Sequence, residues 1–413
     1  MANGSRSILV AGGGIAGICT ALCLAKRGFR VELFEQAEGF ESVGAGLQIP
    51  PNALRVLEWL GIEQRLKLVA TGPASIRIIS GRSGRQITSI PLGENALRRY
   101  GKPYLVVHRA DLLQTLIQAV ADKPDIKIHM SSRVEDVSEH ARGVTALVYS
   151  RGEMNEFHGA GLVAADGVWS RLRERRFGLP PARYSGITAW RAMVSASQLP
   201  GAQDLENTRL HLSPDGHLVC YPVRAGRYLN IVALAPADLE DGNPQHWTTS
   251  ASSSEIHEKF ANWHKDITSL FKLRSRWTRW PLYTCQVPGH WNKGKTVLAG
   301  DAAHAMLPFA AQGAAMAIED AHELAATLAR ERGGEDAVER AFAAFSRSRV
   351  PRVRKAVRLT NTNRRIYHLK GPLDQARNLA MMAAGGGLLL SRQDWLYGWQ
   401  PSEVEVPTGR KKA

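Results

Sequence analysis

The sequence predicts an α/β fold: a parallel-sheet domain interrupted by an inserted, mostly antiparallel β-sheet and closed by a C-terminal helical segment. Three observations lead there. The first forty residues read as strand, glycine turn, helix and strand, a βαβ unit. Between Tyr184 and Gln286 the texture changes to strand-like runs with turns between them, such as residues 217–223 and 229–235. A buried strand then returns at residues 296–299, ahead of an Ala-rich helix over 312–330.

The elements follow in order. Ile8, Leu9 and Val10 form a short buried strand; a glycine turn leads into a helix carrying Ile15, Ile18, Leu22 and Ala25. Gly28 ends that helix, and Val31 and Leu33 begin the next strand. Residues 50–66 form a helix with Leu54, Leu57, Leu60 and Ile62 on one stripe. Residues 75–90 form a hairpin around Ser-Gly-Arg-Ser-Gly. Residues 111–120 are helical, with His108 and Arg109 just before them, and 162–165 is an apolar strand ending in Asp166-Gly167. One helical piece, 255–270, interrupts the inserted sheet, and the chain past about 340 is helical and then irregular.

Composition narrows the class. At 413 residues, 44% apolar and 22% charged, the chain is neither disordered nor fibrous. Its four cysteines make no disulfide framework and no CxxC pair; Cys19 and Cys23, one helical turn apart, read as packing residues. The net charge of +15 is partly local: nine basic residues and no acid lie between Phe345 and Lys370. Without interleaved aromatics or a nucleic-acid motif, that run reads as a solvated or dimer-contacting helix face. Residues 7–25 are uncharged, yet Gly12, Gly13, Gly14 and Gly17 would break a spanning helix. Residues 378–391 are too few to span. The expectation is a cytoplasmic monomer or homodimer with no membrane and no nucleic-acid partner. No metal-ligand spacing is present.

Two constellations carry chemistry. The first is Gly12-x-Gly14-x-x-Gly17 between strand and helix, with Glu35 ending the next strand. Gly12 permits the turn, Gly14 lets a diphosphate approach the backbone, and Gly17 lets helix and strand pack closely. The helix N-terminus, with Ile15 and Ala16 in its first turn, presents N–H groups to the diphosphate, and Glu35 accepts hydrogen bonds from a ribose. This is a Rossmann-like dinucleotide site, for NAD or FAD. The second is Gly300-Asp301-Ala302-Ala303-His304, then Pro308 and Gln312-Gly313-Ala314. Asp301, at the end of a buried strand, can bond a ribityl chain, and the N–H groups of Gly313 and Ala314 can face the pyrimidine edge of a flavin. This selects FAD. His304 reads as structural.

The string GDAAHAMLPFAAQGAAMAIEDA resembles the flavin motif of the class A, single-component FAD-dependent aromatic hydroxylases, and the similarity extends over nearly the whole chain. It is nearest to the salicylate hydroxylase and 6-hydroxynicotinate 3-monooxygenase branch. Asp166-Gly167-x-x-Ser170-x-x-Arg173 matches the family's DG motif, residues 108–112 match the segment whose arginine, here Arg109, contacts flavin, and residues 44–61 match the segment near flavin and pocket. Gly46 and Val134 join the implied cofactor contacts. Ala311 stands where many relatives have glycine.

The resemblance implies a p-hydroxybenzoate hydroxylase-like fold. Its FAD-binding domain is discontinuous (1–74, 101–183 and 286–345), with a substrate-binding sheet (75–100 and 184–285) and a C-terminal segment (346–413). It also implies the reaction: NADH or NADPH reduces bound FAD and leaves, O2 gives a flavin C4a-hydroperoxide, and an OH passes to an electron-rich aromatic substrate. A phenolic or hydroxypyridine carboxylate of the salicylate or 6-hydroxynicotinate type is expected. The single GxGxxG agrees with a transient nicotinamide.

Even spacing places His217 and Tyr221 on one strand face, and the branch presents a His and a Tyr to the pocket here, so both are the catalytic candidates. A His217 near the ordinary pKa of ~6.5 would accept the phenolic proton. Gln48 and Pro308 complete the pocket. Arg191 has two readings, a carboxylate or diphosphate contact and a salt bridge. Two further functions stay open: a monooxygenase of larger polycyclic, secondary-metabolite substrates, and a flavin-binding redox regulator without turnover. The halogenase Trp-x-Trp-x-Ile-Pro signature is not matched by residues 277–281.

Overall fold

The computed structural model describes residues 7–40, 46–199, 204–239, 249–274, 276–331, 333–334 and 336–402. A six-stranded sheet runs in the order Asn292–Lys293, Thr296–Leu298, Gly161–Ala164, Ser7–Ala11, Arg30–Phe34, Ile126–His129. All neighbours are parallel except the first pair. The central strands Thr296–Leu298, Gly161–Ala164 and Ser7–Ala11 are near-continuously apolar and buried, as strands covered on both faces require. The helices Ile15–Lys26 and Gly313–Arg330 pack on each other over it, and Cys19 and Cys23 are buried there with free thiols. A three-stranded antiparallel sheet, Ser132–His140, Gly143–Ser150 and Glu153–Gly159, flanks it.

The second large sheet has eight strands: Thr249–Ser252, Arg276–Thr284, Arg183–Ser195, Tyr228–Pro236, Gly216–Val223, Thr208–Ser213, Ser75–Ser80 and Gln86–Pro91. It is antiparallel except where Thr208–Ser213 runs parallel to Ser75–Ser80, so the early hairpin joins strands from much later in the chain. One face packs on the helices Ser253–Lys259 and Lys265–Phe271 through Phe260, Trp263, Phe271 and Trp277. The other face turns toward the cofactor half.

Three expectations need correction. The helical piece at 255–270 is two short helices, Ser253–Lys259 and Lys265–Phe271, each started by its own N-cap side chain, Ser252 and His264. The C-terminal stretch carries the helices Ala337–Tyr367, Pro372–Ser391 and Asp394–Tyr397, the second broken at Gly385 (φ 67°), before irregular residues 398–402. Gly386 serves contact, since a Cβ on it would lie 1.8 Å from the Ser89 carbonyl oxygen. The basic run is not simply a solvated face: Arg349 is buried, donating from Nη1 to Glu319 (2.7 Å) and from Nε to Asp320 (2.7 Å), both also buried. Arg352 donates to Glu319 as well (2.6 Å). Asp301 does not end a strand; that strand stops at Leu298 and Asp301 opens the helix Asp301–His304. Among the described residues no helix is long and apolar enough to cross a membrane.

Candidate active site

The glycine turn is set by steric necessity. Gly12 has φ +99°, and a Cβ there would sit 2.4 Å from the Ala165 carbonyl oxygen; a Cβ on Gly17 would sit 1.8 Å from that of Gly12. At Gly14 nothing lies within 4 Å of the corresponding position. Gly14 precedes the helix Ile15–Lys26, whose N-terminus has no side-chain cap and no acid in its first turn. Its free N–H groups are therefore available to an anion. Glu35 accepts hydrogen bonds from the N–H groups of Gly13 (2.6 Å) and Ala37 (2.8 Å), which fix its carboxylate at the turn; further lone pairs remain. Val134 is buried close by, where the Ser132 N–H donates to the Glu35 carbonyl (2.7 Å).

The second constellation closes onto the first. Gly300 has φ +60°, and a Cβ on it would lie 2.6 Å from that of Ala16. Asp301 is exposed beside this contact, and its charge acts on Arg109. The helix Gly313–Arg330 starts at Gln312 with no side-chain cap and no first-turn acid, so Gly313 and Ala314 lead a second uncapped N-terminus. Asp166 is nearly enclosed: Oδ2 accepts from the Leu172 N–H (3.4 Å), Oδ1 has no partner, and burial raises its pKa. Arg173 ties this motif to the Asp301 helix, donating to the carbonyls of Ala302 (2.9 Å), Gln286 (2.7 Å) and Pro180 (3.1 Å). Two uncapped helix ends as N–H donors, with the solvent-facing Asp301 and the unpartnered Asp166 Oδ1 as acceptors, are the groups that FAD needs. Those residues fit the cofactor.

Behind this cradle, His304 Nε2 lies 2.6 Å from Asp320 Oδ2, which also accepts the Gly300 N–H (3.1 Å). Asn52 donates to Glu319 (2.7 Å). Arg349 therefore stitches three cofactor-bearing segments to the C-terminal helix.

A pocket lies between the eight-stranded sheet and the turn Pro308–Ala310. Its walls include Ile76, Ile78, Leu210, Val219, Phe309 and Leu390, with Gln48, Tyr104, Thr208, His217, Asn363 and Tyr367 as polar members. Three expected residues, Gln48, His217 and Pro308, meet here. Tyr104 donates to Gln48 through a very short hydrogen bond. Thr208 Oγ1 is buried without a partner.

His217 departs from expectation. Its ring is 2% exposed, and Nδ1 lies 3.0 Å from His368 Nε2. Burial, with His368 as a smaller contributor, pushes its pKa well below the ordinary value, so it stays neutral rather than titrating near 6.5. Tyr221 shares the strand face but packs over Gly46, where a Cβ would be 2.6 Å from its hydroxyl, at the junction of sheet and cofactor half. Burial raises its pKa, and Arg191 opposes that shift. Among the described residues Arg191 forms no salt bridge and its Nε has no partner; its guanidinium lies 4.4 Å over the Trp280 ring, and burial lowers its pKa to about 10. Gly44 and Ala45 lie outside the described residues. Sequence reasoning missed Tyr104, Thr208, Asn363 and Tyr367, which reach the pocket from elements with no motif of their own, and His368, which backs His217.

A second groove lies on the other side of Met306 and Leu307. Arg183, Arg354, Arg358 and Arg364 line it, with no acid among its walls.

A family described as FAD binding domain matches residues 5–360. A 3-hydroxybenzoate 6-hydroxylase from Polaromonas naphthalenivorans (strain CJ2) is 33% identical over 95% of this chain and 96% of its own length. A 6-hydroxynicotinate 3-monooxygenase from Bordetella bronchiseptica is 32% identical over 100% of both chains. Among solved structures, a salicylate hydroxylase substrate complex superposes with a TM-score of 0.80 at 24% identity, covering 97% of each chain.

Proposed function

This chain belongs to the FAD binding domain family and is an FAD-dependent monooxygenase of aromatic rings, and from that premise we propose that its substrate is a phenolic or hydroxypyridine carboxylate and its reductant NADH or NADPH. The observation that carries this reading is one shared wall. The turn Pro308–Ala310 lines the ring pocket and runs straight into Gln312 and Gly313, the helix end that fits the flavin. A ring in the pocket would then lie beside the helix end whose N–H groups would hold the flavin.

Bound FAD supplies the redox and oxygen chemistry that the side chains lack. The chain's own residues do the rest. Ile76, Ile78, Leu210 and Phe309 exclude water from the ring. His217, with Nδ1 occupied by His368, turns Nε2 to the pocket as the acceptor for the phenolic hydroxyl, raising the ring's electron density. Thr208, Gln48 and Asn363 are neutral groups for the ring's other polar substituent, and no Lys or Arg lies among the described walls. Tyr221 and Arg191 stand at the sheet–cofactor junction, where they orient what bridges the two halves. The four-arginine groove beyond Leu307 offers an approach for an anionic dinucleotide.

The test is the purified protein's absorbance spectrum, then NADH and NADPH oxidation with a panel of hydroxybenzoates and hydroxynicotinates, with peroxide assayed in parallel. Flavin bands plus stimulation with little peroxide support the reading, and the best stimulator names the ring. Flavin bands with no stimulation by any small ring would favour a larger substrate or a regulatory flavoprotein.

A further inference from the structure

The pocket histidine does not act alone. His217 and His368 are 3.0 Å apart, Nδ1 to Nε2, with ring centroids at 5.2 Å. Phe309 covers both, at 4.7 Å from His217 and 5.6 Å from His368, and Tyr367 lies 5.5 Å from His217. His217 is buried against the substrate side, whereas His368, just past the helix Ala337–Tyr367, is half-buried. The contact joins two positions 151 apart in the chain, so it is built by the tertiary fold and not by a local turn.

We propose that His368 is a positioning residue, the outer half of a two-histidine relay that carries the substrate's phenolic proton from His217 to solvent. The inference rests on the reading of His217 as the group facing the ring. The contact uses one nitrogen of each imidazole, one as donor and one as acceptor. With the proton on His217 Nδ1, Nε2 is the free acceptor toward the pocket. As the phenolic O–H bond breaks, its proton binds Nε2, the Nδ1 proton crosses to His368 Nε2, and His368 releases its own Nδ1 proton to water. One proton leaves the ring oxygen and one enters solvent. No electron changes hands, both imidazoles end neutral with tautomers exchanged, and the phenolate remains in the pocket.

The surrounding charge gives the relay a direction. Burial holds Tyr367, 5.5 Å from His217, neutral with its pKa raised to about 12, and leaves His368 as the other ionisable neighbour. Burial first, then Arg364 of the preceding helix and Arg377 of the next, disfavour a lasting charge on His368, and Asp215 of the turn before the His217 strand favours one. Asp215 is itself exposed and paired with Arg82 (3.1 Å). A proton on His368 is therefore driven off, and the acid that draws it lies at the surface.

The experiment uses the FAD-loaded enzyme with its best substrate and follows kcat, KM and hydroxylation coupling from pH 6 to 9 for the wild type, His368→Gln and His217→Gln. Glutamine can keep a hydrogen bond to His217 but cannot pass a proton. The expected result for His368→Gln is a KM close to wild type and a kcat reduced by about tenfold or more at pH 6.5, within the range of general-base effects. That loss shrinks as pH rises, because a ring entering as phenolate needs no acceptor, and added imidazole restores part of it. A wild-type kcat in His368→Gln, or an equal loss at every pH, would overturn the relay. Normal turnover in His217→Gln would instead remove the reading of His217 beneath it.

Discussion

His304, behind the cofactor cradle, and His217, in the wall of the ring pocket, are both buried histidines, and they keep opposite company. His304 lies against Asp320, which Arg349 holds in turn, so its neighbourhood is a closed set of charges in mutual contact. His217 has no carboxylate; it has an apolar pocket on one side and a second neutral imidazole on the other. A buried charge with its partner in place is costly to disturb and holds segments in register. A buried base without one stays neutral and is free to change protonation when a substrate brings a proton. The cofactor half is thus fastened by ionic contacts, and the ring half is left able to respond.

The sharpest way to break this contrast is Arg349→Ala. It strands Glu319 and Asp320 in the interior, and stability should fall by about 3–5 kcal/mol, read by urea unfolding. A loss below about 1 kcal/mol would mean that the ionic cluster fastens nothing. Next, Asp301→Ala leaves the cluster intact and removes the exposed acid between the two helix ends. FAD should bind at least about tenfold more weakly, in the range of a lost hydrogen bond to a charged group. Full flavin absorbance after dilution and gel filtration would remove Asp301 from the cradle.

Acid should separate the halves by pH. The buried rings of the substrate half are held below their unfolded value near 6.5: His211 at about 3, His368 at about 4, and His217 lower than normal. Below that value the unfolded chain takes up protons that the folded chain refuses. Their contribution is fully present above pH ~6.5 and is lost toward pH 4, at up to about 1.4 kcal/mol per pH unit for each ring. Asp320 is held below the usual carboxylate range despite burial, chiefly by His304 and then Arg349. Its contribution survives down to pH ~4 and fades only beneath it. Urea midpoints that stay flat from pH 7 to 5 would contradict this ordering. The smallest effect is expected at Ala311, which lies in the left-handed region at φ 52° between the pocket turn and the flavin helix. Ala311→Gly should relieve that strain and raise stability by no more than about 1 kcal/mol, detectable as a small rise in Tm.

The halves also differ in how far the sequence revealed them. Gly12, Gly17 and Gly300 were legible because each stands where a side chain would strike another backbone or helix, and their spacing is short and fixed. The FAD identity of the chain was legible through the same residues. Arg349 was not: its run looks like an exposed basic face, and its acids sit inside a helix that reads as Ala-rich. His368 could not be found, because nothing at the end of a basic helix marks it as the neighbour of a strand residue far earlier in the chain. The depressed pKa of His217 was hidden for the same reason, since its cause is enclosure by Phe309, Tyr367 and His368.

The strand order of the parallel sheet has a consequence for how the chain is made. Ser7–Ala11 lies at its centre, yet its neighbour Gly161–Ala164, and Thr296–Leu298 beyond that, are synthesised far later. At ribosomal rates of 5–20 residues per second, roughly 15–60 s pass before the last parallel strand exists. Until Gly161–Ala164 has been made, roughly 8–33 s at those rates, the nascent N-terminal strand has an unpaired edge and its glycine turn lacks Ala165, and Gly300 arrives later still. Such long-range closure is slow and exposes strand edges to aggregation. Expression at reduced temperature, with chaperones in excess, is therefore expected to raise the yield of flavin-loaded protein more than any change at the C-terminus.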